Sequence, residues 1–251
     1  MPNPFFSIIT CCYNSGPYIG RNLDSVANQS FLGFEHIIID GLSKDNTMEI
    51  VKNYSNKANN IIVQESEPRG IANAMNLGVN KSQGEWLIFL NSDDYLNNNQ
   101  VLENVYNFIK KNPASWYYGQ AKYIGDFKRK ENIYPRRWYH RHFFYGLLFF
   151  INFINHQAVF LNKSLFDKYG LYREDIIGGM DYEYWFRIGK KEKPKFIPLL
   201  ISNFRVGGFS SNPKNKEINK NETIRIRGMY TKLAHMTMWP ACIYRKIKNI
   251  K

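Results

Sequence analysis

Apolar residues in the first hundred positions form short unbroken runs, separated by polar segments in which they recur at helical spacing. The runs are residues 5–12, 34–39, 61–63 and 86–90. Their continuity predicts strands buried on both faces. Between them, Ile19, Leu23, Val26 and Ala27 predict a helix over 19–29. Ser43 and Asp45 suit the entry to a second helix over 47–55, and Ile71, Ala74, Met75 and Leu77 mark a third over 70–80. Strand and helix alternate with short connections, which predicts an α/β fold with a mostly parallel, Rossmann-like sheet flanked by helices. Beyond residue 98 the pattern loosens. Helices are expected over 99–111, 165–169 and 181–190, and strands over 115–124, 128–134 and 196–206. A polar stretch, 210–221, leads into a basic helical extension.

Ligands of parallel sheets sit beyond the carboxyl ends of the strands. Four polar clusters fall there: Tyr13-Asn14, Asp40-Gly41, the segment from Glu65 to Arg69, and Asn91-Ser92-Asp93-Asp94. Their convergence predicts one pocket. Adjacent acids at a strand tip repel, and a hard divalent cation that also holds phosphate oxygens relieves them. The chain has no G-x-G-x-x-G and no G-x-x-x-x-G-K-[ST]. Acids and a metal would therefore have to hold any bound nucleotide's phosphates.

A hydrophobic share of 44% over 251 residues is enough for one substantial core with a small appendage. The net charge of +13 points to an anionic partner: nucleic acid, a membrane surface or a phosphorylated substrate. From Lys214 onward ten basic residues face only Glu217 and Glu222, which leaves +8 in the last part of the chain. The expected division is a body, 1–212, with a nucleotide-binding half (1–98) and an acceptor-binding half (99–212), followed by the extension 213–251. In the extension, Ile224, Ile226, Met229, Tyr230 and Leu233 can gather on one side of a helix that Trp239-Pro240 ends. Together with the basic, aromatic stretch 136–145, this suits an anionic membrane surface; the plainer alternative is a helix packed on the body. Cys11, Cys12 and Cys242 have no metal-ligand spacing and suggest no disulfide, which fits a reducing compartment. No secretory signal is expected at the N-terminus, and the longest apolar run, 143–154, is too short to span a bilayer.

Five ordered blocks resemble the family-2 glycosyltransferases. They are Ile8-Ile9-Thr10 with Tyr13-Asn14, the block from Ile37 to Thr47, Gly70 to Gly78, Leu90 to Asp94, and Gly179 to Arg187. The resemblance covers about residues 5–210. It implies a GT-A fold and an inverting transfer of a sugar from a nucleotide-diphosphate donor, with a divalent cation, Mn2+ or Mg2+. Asp93 takes the metal position of the family's Asp-x-Asp motif. Asn91 replaces the first acid and would meet ribose, with Ser92 between them. Asn73 stands where relatives often have Asp. Asp40 would accept the N3–H of uracil, and Tyr13 would stack on the base. Thr10, Cys11 and Asn14 would add backbone or shape, and Arg69 at the rim would meet diphosphate or ribose. Asp181 is the implied general base, with a helix N-cap as its plainer role and Glu183 as the fallback. Asp94 would ligate through water, touch sugar or cap the next helix. His156, Gly179 and Met180 would border acceptor or donor sugar. Arg205, followed by Gly207-Gly208-Phe209-Ser210, resembles a loop that closes on the diphosphate.

The implied setting is a bacterial surface polysaccharide, such as capsule or O-antigen. It would be built on a glycan or polyprenyl-diphosphate-linked acceptor at the inner face of the cytoplasmic membrane. Two other readings stand beside it: a sugar-phosphate nucleotidyltransferase, which would usually show a Gly-rich phosphate loop, and a basic nucleic-acid-binding protein, which would not require Asp40, Asp93 and Asp181 to converge.

Overall fold

The four apolar runs form strands β1 (Phe6–Cys12), β2 (Phe34–Asp40), β3 (Ile61–Glu65) and β4 (Trp86–Phe89) in a computed structural model. Residues 3–56, 60–125, 132–135, 143–209 and 212–231 are described. The intervening helices are α1 (Gly16–Ala27), α2 (Thr47–Ser55) and α3 (Ile71–Lys81). The second half supplies β5 (Tyr95–Leu96), α4 (Val101–Lys111), β6 (Trp116–Ile124), β7 (Ile133–Tyr134), β8 (Val159–Asn162), α5 (Ser164–Tyr169), α6 (Met180–Gly189), β9 (Lys195–Arg205) and α7 (Lys216–Tyr230).

All the strands join one sheet in the order β3-β2-β1-β4-β8-β6-β9-β5, with β7 on β6. The first four are parallel neighbours. β8 then runs antiparallel to both β4 and β6, β9 is parallel to β6, and β5 is antiparallel to β9. The expected halves thus share a sheet, since β4 pairs with β8 and β5 with β9.

Alternation along each strand divides the core between the two faces. Ile9 and Cys11 of β1 pack with Ile37, Ile39, Met75 and Val79, while Phe6 and Ile8 pack with Val26, Val105 and Phe160. Cys12 joins Ile19, Leu23, Ile38 and Val51 under α1 and α2, so the two neighbouring cysteines face opposite sides. On the first face, Trp116 of β6 stacks on Trp185 of α6, with centroids 5.3 Å apart.

α7 begins inside the polar stretch 210–221 and packs on the body, the plainer of the two alternatives for the basic extension. Its apolar residues are divided rather than gathered. Ile226 is fully buried in the core, whereas Ile224 is 60% and Met229 37% exposed. Positions 224 and 226 lie about 200° apart around a helix, so both cannot face the same surface. Residues 232–251 lie outside the described residues, and with them Leu233, Trp239-Pro240 and Cys242. The same holds for 136–142 of the basic aromatic stretch, for 128–131 of the strand expected over 128–134, and for Ser210. No helix among the described residues is long and apolar enough to cross a membrane.

Candidate active site

β1, β2 and β4 are adjacent and parallel, so Cys12, Asp40 and Leu90 end on one edge of the sheet. The loop after β4 is pinned from below. Asn22 of α1, fully buried, donates through Nδ2 to the carbonyls of Asn91 (2.9 Å) and Asp94 (3.0 Å). Ser92 Oγ meets Ser15 Oγ at 2.8 Å, tying this tip to the loop after β1.

The two acids of the tip have different tasks. Asp93 keeps a partly open carboxylate, and Arg205 Nη1 lies 3.6 Å from its Oδ2. Burial raises the Asp93 pKa, opposed by the Arg205 charge. Asp94 is only 1% exposed, and its Oδ1 accepts the backbone N–H of Arg205 (2.8 Å). Burial, with Asp93 beside it, pushes the Asp94 carboxyl well above the usual carboxylate range. Asp94 leads into β5 rather than a helix, so the cap expected of it is not formed, and its side chain is enclosed. It fastens the end of β9 to the acidic tip.

Asp94→Asn keeps the acceptor for Arg205 N–H and removes the burial cost of charge. A carboxyl whose folded pKa is raised favours folding below the unfolded value, about 4, and loses that contribution as pH rises through the folded value. The variant is therefore expected to melt higher than wild type at pH 8, by about 2–4 °C for each kcal/mol recovered. The gain should shrink toward pH 4. Thermal denaturation across pH checks this, and a gain that grows on acidification would refute it.

Arg205 spans the cleft. Its guanidinium lies 3.9 Å from the Tyr18 ring centroid, and Nη2 donates to Tyr18 Oη (2.9 Å). A Cβ added at Gly208 would lie 3.2 Å from Asp93 Oδ2, and one at Gly178 would lie 3.1 Å from the Phe209 ring. The loop after β9 thus runs from the acidic tip to the lead-in of α6.

At the other end of the edge, Tyr13 is 57% exposed and lies against Gly41, near Pro68. Its free face can take a flat base. Asn14 builds the turn: its N–H donates to Ser43 Oγ and its Oδ1 accepts Lys44 N–H. Asp40 is fully buried and spends both oxygens on Ser43, accepting from its N–H (2.8 Å) and its hydroxyl (2.5 Å). In this arrangement the side chain shapes the Gly41–Ser43 wall. Thr10 and Cys11 are buried as well. Thr10 Oγ1 donates to the Leu90 carbonyl and meets His36 Nε2, and burial pushes the Cys11 thiol up to about 12. Arg69 is exposed before α3, and Asn73 Nδ2 donates to Glu174.

Asp181 occupies the first turn of α6, which Gly179 opens in the left-handed region at φ 90°. Gly179, not Asp181, is the N-cap, and no side chain caps this helix. The Asp181 carboxylate makes no hydrogen bond or ion pair with any described residue, and the helix N-terminus favours its negative charge. Its charge acts on His156, which burial pulls below the usual histidine range. His156 stacks on Phe89, the last residue of β4, with centroids 5.2 Å apart. His156 and Met180 are each 6% exposed, and Glu183 is 1% exposed, bonded to Arg187 and Tyr230. All three side chains are packed into the body, and Glu183 is engaged by Arg187 and Tyr230.

Among the described residues no three His, Cys, Asp or Glu side chains form a cluster that could hold a metal. The donor set that exists, one outward carboxylate at Asp93, fits a hard cation whose other ligands are phosphate oxygens and water. Two concavities, of about 230 Å³ beside Arg21 and about 460 Å³ beside Asn3, lie away from this edge. Asn22, Tyr18, Ser15 and Glu174 were not singled out from sequence. Their partners lie far off in the chain, and local spacing carries no signal for them.

The family model described as Glycosyl transferase family 2 matches residues 7–170. A Mycobacterium bovis protein named PGL/p-HBAD biosynthesis glycosyltransferase is 30% identical over 98% of this chain and 94% of its own length. The Staphylococcus aureus poly(ribitol-phosphate) beta-N-acetylglucosaminyltransferase TarS is 37% identical over 41% of this chain and 18% of its own. The crystal structure of TarS 1–349 with UDP superposes with a TM-score of 0.71 at 20% identity, covering 89% of this chain and 64% of that one. A Pyrobaculum calidifontis mannosyltransferase with GDP-Man and Mn2+ gives a TM-score of 0.63 at 17% identity, covering 94% and 76%.

Proposed function

The chain belongs to glycosyl transferase family 2 and has the GT-A fold, and from that premise we propose an inverting transfer from a UDP-sugar to a hydroxyl of a glycan or lipid-linked acceptor. The observation that carries this reading is the unengaged carboxylate of Asp181 on the first turn of α6, whose lead-in meets the loop that runs from Arg205 past Asp93. UDP in TarS and GDP-Man in the mannosyltransferase support a nucleotide-diphosphate donor. The names of the mycobacterial and staphylococcal relatives support a cell-surface glycan as the product.

In the proposed reaction the base lies against Tyr13, beside the wall that Asp40 shapes. Arg205 leaves Asp93 for the diphosphate, exchanging a carboxylate partner for phosphate oxygens. Asp181 takes the acceptor hydroxyl's proton as that oxygen bonds to the anomeric carbon and the bond to the diphosphate breaks, releasing UDP. A divalent cation, when bound at Asp93 with the diphosphate, offsets charge on the leaving group. A panel of UDP- and GDP-sugars with glycan and phenyl-glycoside acceptors, run with and without Mn2+, tests this directly. UDP-sugar turnover with inverted product is expected; retained configuration would rule out a single displacement.

We also propose that the basic residues from Lys232 onward bring the enzyme to anionic lipid at the inner membrane face, where a polyprenyl-linked acceptor would lie. Ile226 and Tyr230 pack into the body, so a cut at Thr223 would damage the fold. Ending the chain after Thr231 leaves that packing whole. This truncation should keep wild-type UDP binding and lose most binding to phosphatidylglycerol vesicles in a sedimentation assay. Undiminished vesicle binding would remove the proposal.

A further inference from the structure

We propose that α7 sets the orientation of Asp181, through Ile226, Arg227 and Tyr230 acting as positioning residues; this rests on the reading of Asp181 as the base. The first turn of α6 is not held by a side-chain cap, and its N-cap is a glycine in the left-handed region. Several of the contacts that hold this turn come from α7. Ile226, fully buried, is the residue a Cβ at Gly179 would meet, 3.3 Å from its Cδ1. Arg227 Nε donates to Tyr182 Oη (3.0 Å), and that hydroxyl in turn donates to the Leu148 carbonyl. Tyr230 donates to Glu183 and stacks on Phe186, with centroids 5.2 Å apart and planes 9° from parallel. Arg225 Nη1 donates to the Asp175 carbonyl (2.7 Å), holding the lead-in loop.

The grip falls on 179, 182, 183 and 186, on both sides of Asp181 and never on it. That is what a reactive carboxylate requires: a fixed backbone and an uncommitted side chain. Ile218, Ile224 and Met229 of α7 are exposed, and Ile226 is its one fully buried residue among those described. Its packing is concentrated where the base is carried. A shift of about 1 Å in a reacting group can cost on the order of 100-fold in rate.

The test compares Ile226→Ala, Ile226→Val and Asp181→Asn with wild type. Turnover is measured at saturating donor, using the donor and acceptor pair from the panel above. UDP binding with Mn2+ is measured by calorimetry, and its stoichiometry counts folded sites. Ile226→Ala should lower kcat at least tenfold per folded site with the UDP Kd and donor KM unchanged, and Ile226→Val should restore most of it. An unchanged kcat, or a loss that only follows the stoichiometry, would overturn the proposal. Should Ile226→Ala fold poorly, Tyr230→Phe decides, because it keeps the ring on Phe186 and removes only the bond to Glu183. A severalfold lower kcat with intact UDP binding supports the proposal, and wild-type kcat overturns it. If Asp181→Asn keeps normal transfer, the base assignment itself has failed, a result distinct from either outcome above.

Discussion

Asp181→Asn is expected to lower transfer by about 100- to 10,000-fold, the range general-base removal produces, with UDP binding in Mn2+ unchanged. The separation follows from the geometry. Asp181 makes no hydrogen bond or ion pair among the described residues, so no structural partner is lost. Asparagine is nearly the same shape and sits as easily on the first turn of α6. What disappears is the ability to take a proton. Among the described residues, neither Glu183, bonded to Arg187 and Tyr230, nor His156, enclosed against Phe89, is open to substitute for it. Transfer rates and UDP calorimetry on the same preparation check this. A variant with near-normal transfer would move the base elsewhere, and one that also loses UDP would place Asp181 in the donor site.

Asp93→Ala should have the opposite profile. The Mn2+-dependent part of UDP binding should weaken by at least about 100-fold, since even indirect partners of a metal cost 10–100-fold when removed. Without metal, UDP should bind the variant as well as or better than wild type. Arg205 sits 3.6 Å from Asp93 Oδ2, and deleting the carboxylate frees that guanidinium for phosphate. The opposite signs with and without metal separate this account from simple loss of fold. UDP titrations with Mn2+ and with EDTA measure both. An equal loss under both conditions would mean that Asp93 shapes the site and leaves the cation to other groups.

The parallel half was legible because strands covered on both faces must be apolar throughout, and β1, β2 and β4 each read as one run. Their polar ends pointed to the edge where the site is proposed. The fate of each carboxylate was not legible. Asp40 and Asp94 have the right type and position, yet both are buried, with oxygens committed to Ser43 and to the Arg205 N–H. Side-chain burial depends on loops closing over the strand ends, and composition does not encode that closure locally. The helical extension was expected, but its hold on α6 was not legible: Ile226 alone of the described part turns fully inward, and the polar contacts reach residues about 45 positions away. The mixed-direction half lost clarity because short strands such as β5 and β7 carry only two residues each.

The most direct test is a crystal structure with UDP and Mn2+, using manganese anomalous scattering to locate the ion. The expected result is a manganese peak against Asp93, diphosphate within reach of Arg205, uracil on Tyr13, and the Asp181 carboxylate still unbonded, facing the diphosphate. Manganese or diphosphate bound away from Asp93, or Asp181 turned from the nucleotide, would contradict the assignment.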